Sequence, residues 1–598
     1  MTKPVNDYRF EVVLTLRSPV MSAGVDAASL GIDASPLLTD KAGQRYPILP
    51  GSLIKGNLKH SWKKLCEISS SGSWMSDQQI QYWLGSEADQ KNNAPSRAKL
   101  RESDQWIAEI PAMAGQTRYR IKLEEETGKV ERGALQQIEI PHPVGKEVNY
   151  VGWFECTCTE TVAQQLYGYL KQGLAFVPSL GAFKGIGFGV IKKVEITPPQ
   201  LVEHRHQITD CGGDVFGMSL MLDRPLSLNH ALNQVGNRFE PIDFIPGAAI
   251  KGAIASRIAQ FDDQSRWPSL LGQLDKIRFT HAKTELRREV TRRSVPVPMN
   301  LYVHKQQAVV SAGLITPEVS LPESGHIAFQ PDWKSTEWSA VNNLFQSDFE
   351  QPPVHTLRVR TAIKEGAGIA DDGRLFSSEV IEADQHQWLC DVSLTAVPGM
   401  ERDQVRRELI DLLSYGINSL GKLDACTVDI RLKAGRWPTT IPESPVNKTR
   451  VCLLLMSDAR LFPDKGLDLS GTNGGDELHR YYFECWSSLS GGLLELDEFY
   501  ARQKLVGGEY YRRRFKQLEK AYNPWLVTAA GSIFYFQTSD VDACAKLLET
   551  WGHSGVRVLP ELSDKWDENP MVPANGYGEI SVNPIFDTQA IEEALNHG

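Results

Sequence analysis

Residues 48–56 read Ile48-Leu49-Pro50-Gly51-Ser52-Leu53-Ile54-Lys55-Gly56, and residues 244–252 read Phe244-Ile245-Pro246-Gly247-Ala248-Ala249-Ile250-Lys251-Gly252. In each, an apolar approach meets a Pro-Gly break, and an Ile-Lys-Gly leads into a helix-like run, Asn57 to Cys66 or Ala253 to Gln260. That order describes a strand, a tight turn and a helix start. Glycine lets a ligand approach the backbone, and the first N–H groups of a helix carry partial positive charge, so the pattern suits phosphate. A single copy reads equally well as a plain Pro-Gly cap between strand and helix. The spacing G-x-x-x-x-G-K-[ST] of a nucleotide-binding loop is not met, because Gly56 precedes Asn57 and Gly252 precedes Ala253.

The two prolines lie 196 residues apart. Farther on, Leu357-Arg358-Val359-Arg360 repeats Thr117-Arg118-Tyr119-Arg120 at an offset of 240. The offset holds for Gly128/Gly368, Gly133/Gly373, Leu135/Leu375, Glu139/Glu379 and Ser179-Leu180-Gly181/Ser419-Leu420-Gly421. The chain therefore reads as tandem βα domains, the second carrying 44 extra residues between its turn and its arginine strand. The expected division is 1–200, 201–445 and 446–598. Alternation predicts strands over 8–17, 117–122, 150–159 and from Arg450, and helices over 77–84 and 160–172. The first copy closes on Ser179–Ile191, a glycine-rich loop that enters a strand, the reverse of a dinucleotide fingerprint. The second copy lacks this loop, and Asn575-Gly576-Tyr577-Gly578-Glu579-Ile580 is read as supplying it.

A net charge of −10 excludes a protein that coats nucleic acid with its whole surface, but not a basic groove on an acidic body. Basic residues do cluster: Lys55, Lys59, His60, Lys63 and Lys64; Lys276 through Arg293; and Arg502 through Lys520 with Arg512, Arg513 and Arg514. The nine cysteines form no CxxC pair, which points to reduced thiols rather than a zinc site or disulfide framework. No signal-like start and no bilayer-length apolar run is present, so a cytoplasmic protein without membrane contact is expected. The loop from Ser18 to Arg45 holds Asp26 and Asp33, which are either candidates for chemistry or turn formers. Counted back from the second proline, the position matching Asp33 is Asn229.

Taken together, these motifs resemble the RAMP superfamily of CRISPR effector proteins. Residues 1–200 are similar to the backbone subunit of type III complexes, through Ile32–Pro36, Leu49–Gly56, Arg118–Glu139 and Gly185–Gly189. Residues 201–598 resemble the subunit that caps the guide RNA's 5′ end in the type III-D branch, through Ile245–Gly252, Arg278–Ala282, Val506–Phe515, Ala530–Phe536 and Gly576–Ile580. The resemblance implies a natural fusion with an α+β fold of tandem ferredoxin-like (RRM-like) RAMP domains and glycine-rich loops. It implies guide-RNA contacts from Ser52, Lys55, Lys59, Arg118, Lys184, Gly185, Gly187 and Phe188, and from Lys251, Arg278, Lys283, Arg512, Arg513 and Arg514. The implied partners are CRISPR guide RNA, complementary target RNA and the other type III subunits, including the large subunit. It also implies cleavage of paired target RNA through an aspartate in the loop before the turn, with Mg²⁺ or Mn²⁺. Asp33 matches that motif, as catalytic carboxylate and metal ligand; Asp26 shares the loop and is the alternative. Two other readings stay open: a non-catalytic scaffold, and a guide-precursor processing endoribonuclease using an early histidine such as His60. A small-subunit-like helical segment within Asp476 to Tyr522 is also left open.

Overall fold

In this computed structural model, Val5–Arg17 (β1) alternates between side chains that enter a core and side chains that face away: Tyr8, Phe10, Val12, Leu14 and Leu16 are buried on one side. There follow β2 (Leu38–Lys41), β3 (Gln44–Pro50), α1 (Gly51–Ile68), α2 (Asp77–Leu84), β4 (Leu100–Glu102), β5 (Gln105–Ala108), β6 (Thr117–Arg120), β7 (Gln136–Glu139), β8 (Glu147–Thr159), α3 (Glu160–Ala175), β9 (Val190–Ile196) and β10 (Gln200–Val202). The structure describes residues 4–22, 32–69, 74–86, 96–113, 115–121, 126–131, 133–228, 238–239, 241–261, 266–286, 291–304, 307–310, 327–330, 333–344, 349–363, 370–383, 386–463, 474–507 and 524–586. Contacts divide the chain into two compact units, residues 1–204 with 259–263, and residues 205–258 with 264–598.

In the first unit β1 pairs antiparallel with β8 along its length and with β9 on its other side, while β4 and β5 pair with β8. The order β9-β1-β8-β4/β5, with α1 and α3 on one face, is that of a ferredoxin-like βαββαβ unit; β3 and β2 extend the β5 edge. The helices cross closely because Gly173 has no side chain: a Cβ there would lie 2.2 Å from Trp62 Nε1. Trp62 Nε1 donates to Tyr169 O at 3.0 Å and Ser61 Oγ to Gly173 O at 2.6 Å, so the polar atoms at this apolar contact are paired. Leu58, Leu166, Leu170 and Leu174 complete the core, each worth on the order of 1.5–3 kcal/mol in burial.

The second unit holds two more sheets of the same order among its described residues. β11 (Val215–Leu222), β12 (Arg238–Phe239), β13 (Phe244–Ile245), α4 (Gly247–Gln260), α5 (Pro268–Gln273), β14 (Arg278–Phe279), β15 (Ala282–Leu286), β16 (Leu301–His304), β17 (Gln307–Val310), β18 (Ile327–Phe329), α6 (Ser335–Leu344), β19 (His355–Ile363), β20 (Ala370–Ile381), β21 (His386–Ser393), α7 (Arg402–Ser414) and β22 (Thr427–Ala434) give β22-β11-β21-β14/β15. β23 (Arg450–Leu455), α8 (Gly474–Ser490), β24 (Glu495–Tyr500), β25 (Gln503–Val506), β26 (Trp525–Thr528), β27 (Ile533–Gln537), α9 (Val541–Ser554) and β28 (Ile580–Val582) give β28-β23-β27-β24. Each order is again 4-1-3-2 of a ferredoxin-like unit, so the α+β, tandem ferredoxin-like expectation holds.

Register carries the repeat. Thr117 faces Glu139 and Arg118 faces Ile138 in one hairpin; Leu357 faces Glu379 and Arg358 faces Ser378 in the other. The 44 extra residues carry β16–β18 and α6, and Val295, Val297, Leu301, Val303, Trp333, Val341 and Phe349 pack on Cys452, Leu454, Met456, Ile533 and Tyr535 of the third sheet. α8, which covers the start of the stretch left open as a small-subunit-like segment, is the first helix of the third sheet; residues 508–522 of that stretch lie outside the described residues.

Two expectations change. The helix starts at Gly51 itself rather than near Asn57, with Pro50 as its extended cap residue (φ −60°, ψ 138°). The turn glycine is not bare toward a ligand: a Cβ on Gly51 would lie 1.9 Å from Ser103 O, and one on Gly247 2.1 Å from Phe279 O. Glycine is required there by the neighbouring strand.

Candidate nucleic-acid interface

Asp33 is exposed and fastened to β7: its N–H donates to Gln137 O at 2.8 Å, and Gln137 N–H donates to Asp33 Oδ2 at 2.6 Å. Glu139 N–H donates to Ala34 O at 2.9 Å, continuing the pairing. Asp33 Oδ1 has no partner among the described residues. The loop carrying the carboxylate is therefore an extension of the β6–β7 hairpin.

The other strand of that hairpin reaches the glycine-rich loop. The Arg118 guanidinium stands 5.4 Å over the Phe188 ring and that of Arg120 5.9 Å over Phe183, with the two rings 5.6 Å apart. Phe188 is fully buried with Met21, Ile138 and Ile140, so its role is to anchor the loop. Gly181 and Gly189 have positive φ, and a Cβ would meet Met21 O at 2.2 Å and Leu180 O at 1.9 Å; these glycines close the loop's base. Gly185 and Gly187 differ: both are exposed and a Cβ would meet nothing within 4 Å. They form the part of the loop that a backbone phosphate can approach.

Lys184, beside them, donates from Nζ to Asn57 Oδ1 at 2.9 Å and so ties the loop to α1. Local desolvation lowers its ammonium pKa from the usual lysine value. At the start of α1, Gly51 N–H is taken by Asp104 O at 2.7 Å, while Ser52 is exposed in a first turn that no side chain caps. Lys55 pairs with Glu102 at 2.9 Å and Lys59 Nζ donates to Gly85 O at 2.8 Å, so both are turned toward protein. His60 is exposed on the same helix. Asp33, Arg118 and the Lys184–Gly187 loop are thus linked through contacts within the first unit, and Asn57 ties the loop to α1, the helix that carries Ser52.

Sequence reasoning passed over Tyr119, which is 62 % exposed between Arg118 and Arg120, and Asn57, the partner of Lys184. The alternation Arg-Tyr-Arg was the available signal for Tyr119; nothing local marks Asn57. Asp26, Arg512, Arg513 and Arg514 lie outside the described residues, as does Asn229.

In the second unit three of the expected RNA contacts, Lys251, Arg278 and Lys283, are turned to protein. Lys251 is buried and donates to Asp275 O at 3.1 Å. Arg278 is buried and donates from Nη1 to Ser554 O at 2.7 Å and Pro573 O at 2.9 Å. Lys283 is buried against Glu350 and Met456 O, the latter at 2.7 Å. Burial lowers the two lysines to about 7. The strand register also corrects the match for Asp33. Ala34 bridges Ile138, and Phe239 bridges Ser378, the counterpart of Ile138; Arg238, not Asn229, therefore stands where Asp33 does. The loop before the second turn is nine residues shorter, which defeats counting back from the proline. The second glycine-rich loop is shortened likewise: Leu180 N–H reaches Gly189 O, but Leu420 N–H reaches Ala425 O.

Among the described residues no three His, Cys, Asp or Glu side chains are grouped to hold a metal. Mg²⁺ and Mn²⁺ nevertheless suit one carboxylate when RNA phosphates supply further ligands, and Asp33 Oδ1 fits that limited part. Also among the described residues, no helix is long and apolar enough to cross a membrane.

The RAMP superfamily model matches residues 16–192, which span the Asp33 loop, the turn, the hairpin and the glycine-rich loop, so the chain carries a RAMP superfamily domain there. No curated protein matches the chain. Among solved structures it is similar to a chain of a Type IV-B CRISPR complex, at 16 % identity over 32 % of this chain and 90 % of that one, with a TM-score of 0.23. It is also similar to a chain of the Type III-B Cmr-beta complex bound to cognate target RNA and AMPPnP, at 12 % identity over 53 % and 86 %, with a TM-score of 0.30. For the same complex bound to cognate target RNA the identity and coverages are the same and the TM-score is 0.28.

Proposed function

We propose that this chain is a subunit of an RNA-guided CRISPR effector complex of type III, III-D-like in fusing a backbone-type domain to a part that caps the guide. It works in the cytoplasm with guide RNA, complementary target RNA and the other subunits, including the large subunit. The observation that supports this reading is the linkage of Asp33, the β6–β7 hairpin, the open glycines 185 and 187 and the start of α1 within the RAMP-matched residues. Ser52, Lys184 and the loop backbone hold guide phosphates, and base pairing supplies the sequence reading.

In this account Asp33 cuts the paired target. Its Oδ1 takes the proton of a ribose 2′-OH as that oxygen attacks the adjacent phosphorus in line. The bond to the 5′-oxygen breaks, that oxygen takes up a proton, and a 2′,3′-cyclic phosphate remains. Gln137 N–H, held on Oδ2, fixes the carboxylate's orientation. In the alternative role, Asp33 Oδ1 would hold a Mg²⁺ or Mn²⁺ ion brought by the RNA phosphates instead of taking the proton, and the ion would supply charge stabilisation at the phosphate.

One observation favours the scaffold reading: the same hydrogen bond from Gln137 N–H is what an aspartate makes when it only shapes a loop. The test of the RNA-binding part is guide retention by the purified complex. Lys184→Ala and Ser52→Ala, at unchanged melting temperature, are expected to weaken guide binding; unchanged affinity in both would remove the interface from this domain.

A further inference from the structure

We infer that the glycine-rich loop of the third sheet, residues 575–578, is an internal clamp that holds the second and third sheets as one body, and that RNA bound to this chain leaves that clamp covered. Only the second half of this statement rests on the RNA-binding reading.

The loop enters β28 as the first unit's loop enters β9, yet the two are used differently. Gly185 and Gly187 are exposed, whereas Gly576 and Gly578 are buried. A Cβ on Gly576 would lie 2.5 Å from His281 Nδ1. Gly578 N–H donates to Asp458 O, and Val556 N–H to Gly578 O, both at 2.9 Å. The carbonyl of Asn575 stands 2.7 Å from where a Cβ on Gly247 would be, at the start of α4. There, His281 Nδ1 accepts from Gly247 N–H at 3.3 Å, which leaves the imidazole proton on Nε2. The same ring stacks on Phe244 at 4.7 Å and meets the edge of Tyr577 at 4.8 Å.

A single charge change explains why this corner recruits protein. In the first unit Lys55 is neutralised by Glu102, the residue before the carbonyl that packs on the turn glycine. The corresponding residue beside Lys251, one before Phe279, is Arg278. Arg278 cannot pair with a lysine; it reaches the C-terminal end of α9 and donates to Ser554 O, Pro573 O and Tyr577 O, with its cation placed where the helix dipole favours it. Next to it Glu579 grips Arg293 with both oxygens, at 2.6 and 3.0 Å, and Arg293 also holds Asp391 of β21 at 2.8 Å. Removing one member of such a buried set leaves an uncompensated charge.

The test uses the full chain in two ways. Arg278→Met and Glu579→Gln are expected to lower the melting temperature of the second unit by several degrees without changing guide-RNA affinity. In the unaltered protein, Lys251 and Lys283 are expected to resist a lysine-acylating reagent with or without guide RNA, while Lys184 reacts and RNA protects it. Ready acylation of Lys251 and Lys283 in the free chain, or loss of RNA affinity in Arg278→Met at unchanged melting temperature, would overturn the inference. Melting and free-chain reactivity need no RNA, so they decide the clamp even if the RNA-binding reading fails.

Discussion

Gln137 N–H donates to Asp33 Oδ2 at 2.6 Å, so the loop that carries the carboxylate is fixed to the hairpin that carries Arg118. The bond separates two roles of one residue. Asparagine keeps an acceptor for Gln137 but has no charge, and alanine has neither. Asp33→Ala is expected to cost about 1 kcal/mol of stability and Asp33→Asn much less, measured by denaturant unfolding of the chain. Equal losses would mean that the bond does not hold the loop.

The glycine-rich loop gives a pair of variants with opposite meanings. Gly185 lacks a positive φ and a Cβ there meets nothing, so Gly185→Ala should leave stability unchanged and lower RNA affinity only if phosphate approaches that backbone. Gly187 has φ +86°, so Gly187→Ala is strained and should cost roughly 1–2 kcal/mol regardless of ligand. A melting curve and a binding isotherm on each variant check this.

Lys184 is expected to behave as a phosphate contact. Its replacement by alanine should weaken binding across RNA sequences alike and reduce the slope of log affinity against log salt by about 0.7 for single-stranded RNA. A change confined to one sequence would assign it to base reading instead.

Acid should loosen the second unit through His281. Burial lowers this imidazole from 6.5 to about 3, so below pH 6.5 the unfolded chain binds a proton that the folded chain refuses. Stability is fully present above 6.5 and falls by about 1.4 kcal/mol per pH unit as the pH drops toward 3. Lys251 and Lys283, lowered by burial to about 7, and His206 and His553, also lowered by burial, add to the fall between pH 7 and 5, so His281 is read there by difference. Below that window Glu579 loses stability with falling pH as well: burial would raise its carboxyl, but Arg293 lowers it to about 2. Asp391, raised by burial, works in the opposite sense. His281→Gln should lessen the fall of the urea midpoint between pH 7 and 5; an unchanged slope would mean that His281 is not among the groups that titrate.

Much of this fold was legible because the chain repeats itself. Alternation located β1 and β8, the helices α2 and α3 fell where periodicity put them, and the Arg118/Arg358 offset marked two corresponding strands, which lie in hairpins of shared register. β4 and β14 were missed because they are short and carry Arg101 and Arg278, charges that look solvated in a sequence but are buried here. For the same reason Arg278 and Lys283 read as part of an RNA track: a sequence shows that cations cluster, not that the elements of a neighbouring sheet supply carbonyls for them. Asp33 and Lys184 were singled out through their motifs, while their partners Gln137 and Asn57, 104 and 127 residues away, carry no local signal.

The proposed role of the first domain is to grip guide RNA and cut the paired target with Asp33. The most direct measurement is target-RNA cleavage by the guide-loaded complex in Mg²⁺, comparing the unaltered chain with Asp33→Asn and Asp26→Ala at matched guide and target occupancy. Asp33→Asn is expected to abolish one specific cut, leaving binding intact, and Asp26→Ala to retain it. Survival of every cut in Asp33→Asn would contradict that role and leave Asp33 as the residue that shapes the loop.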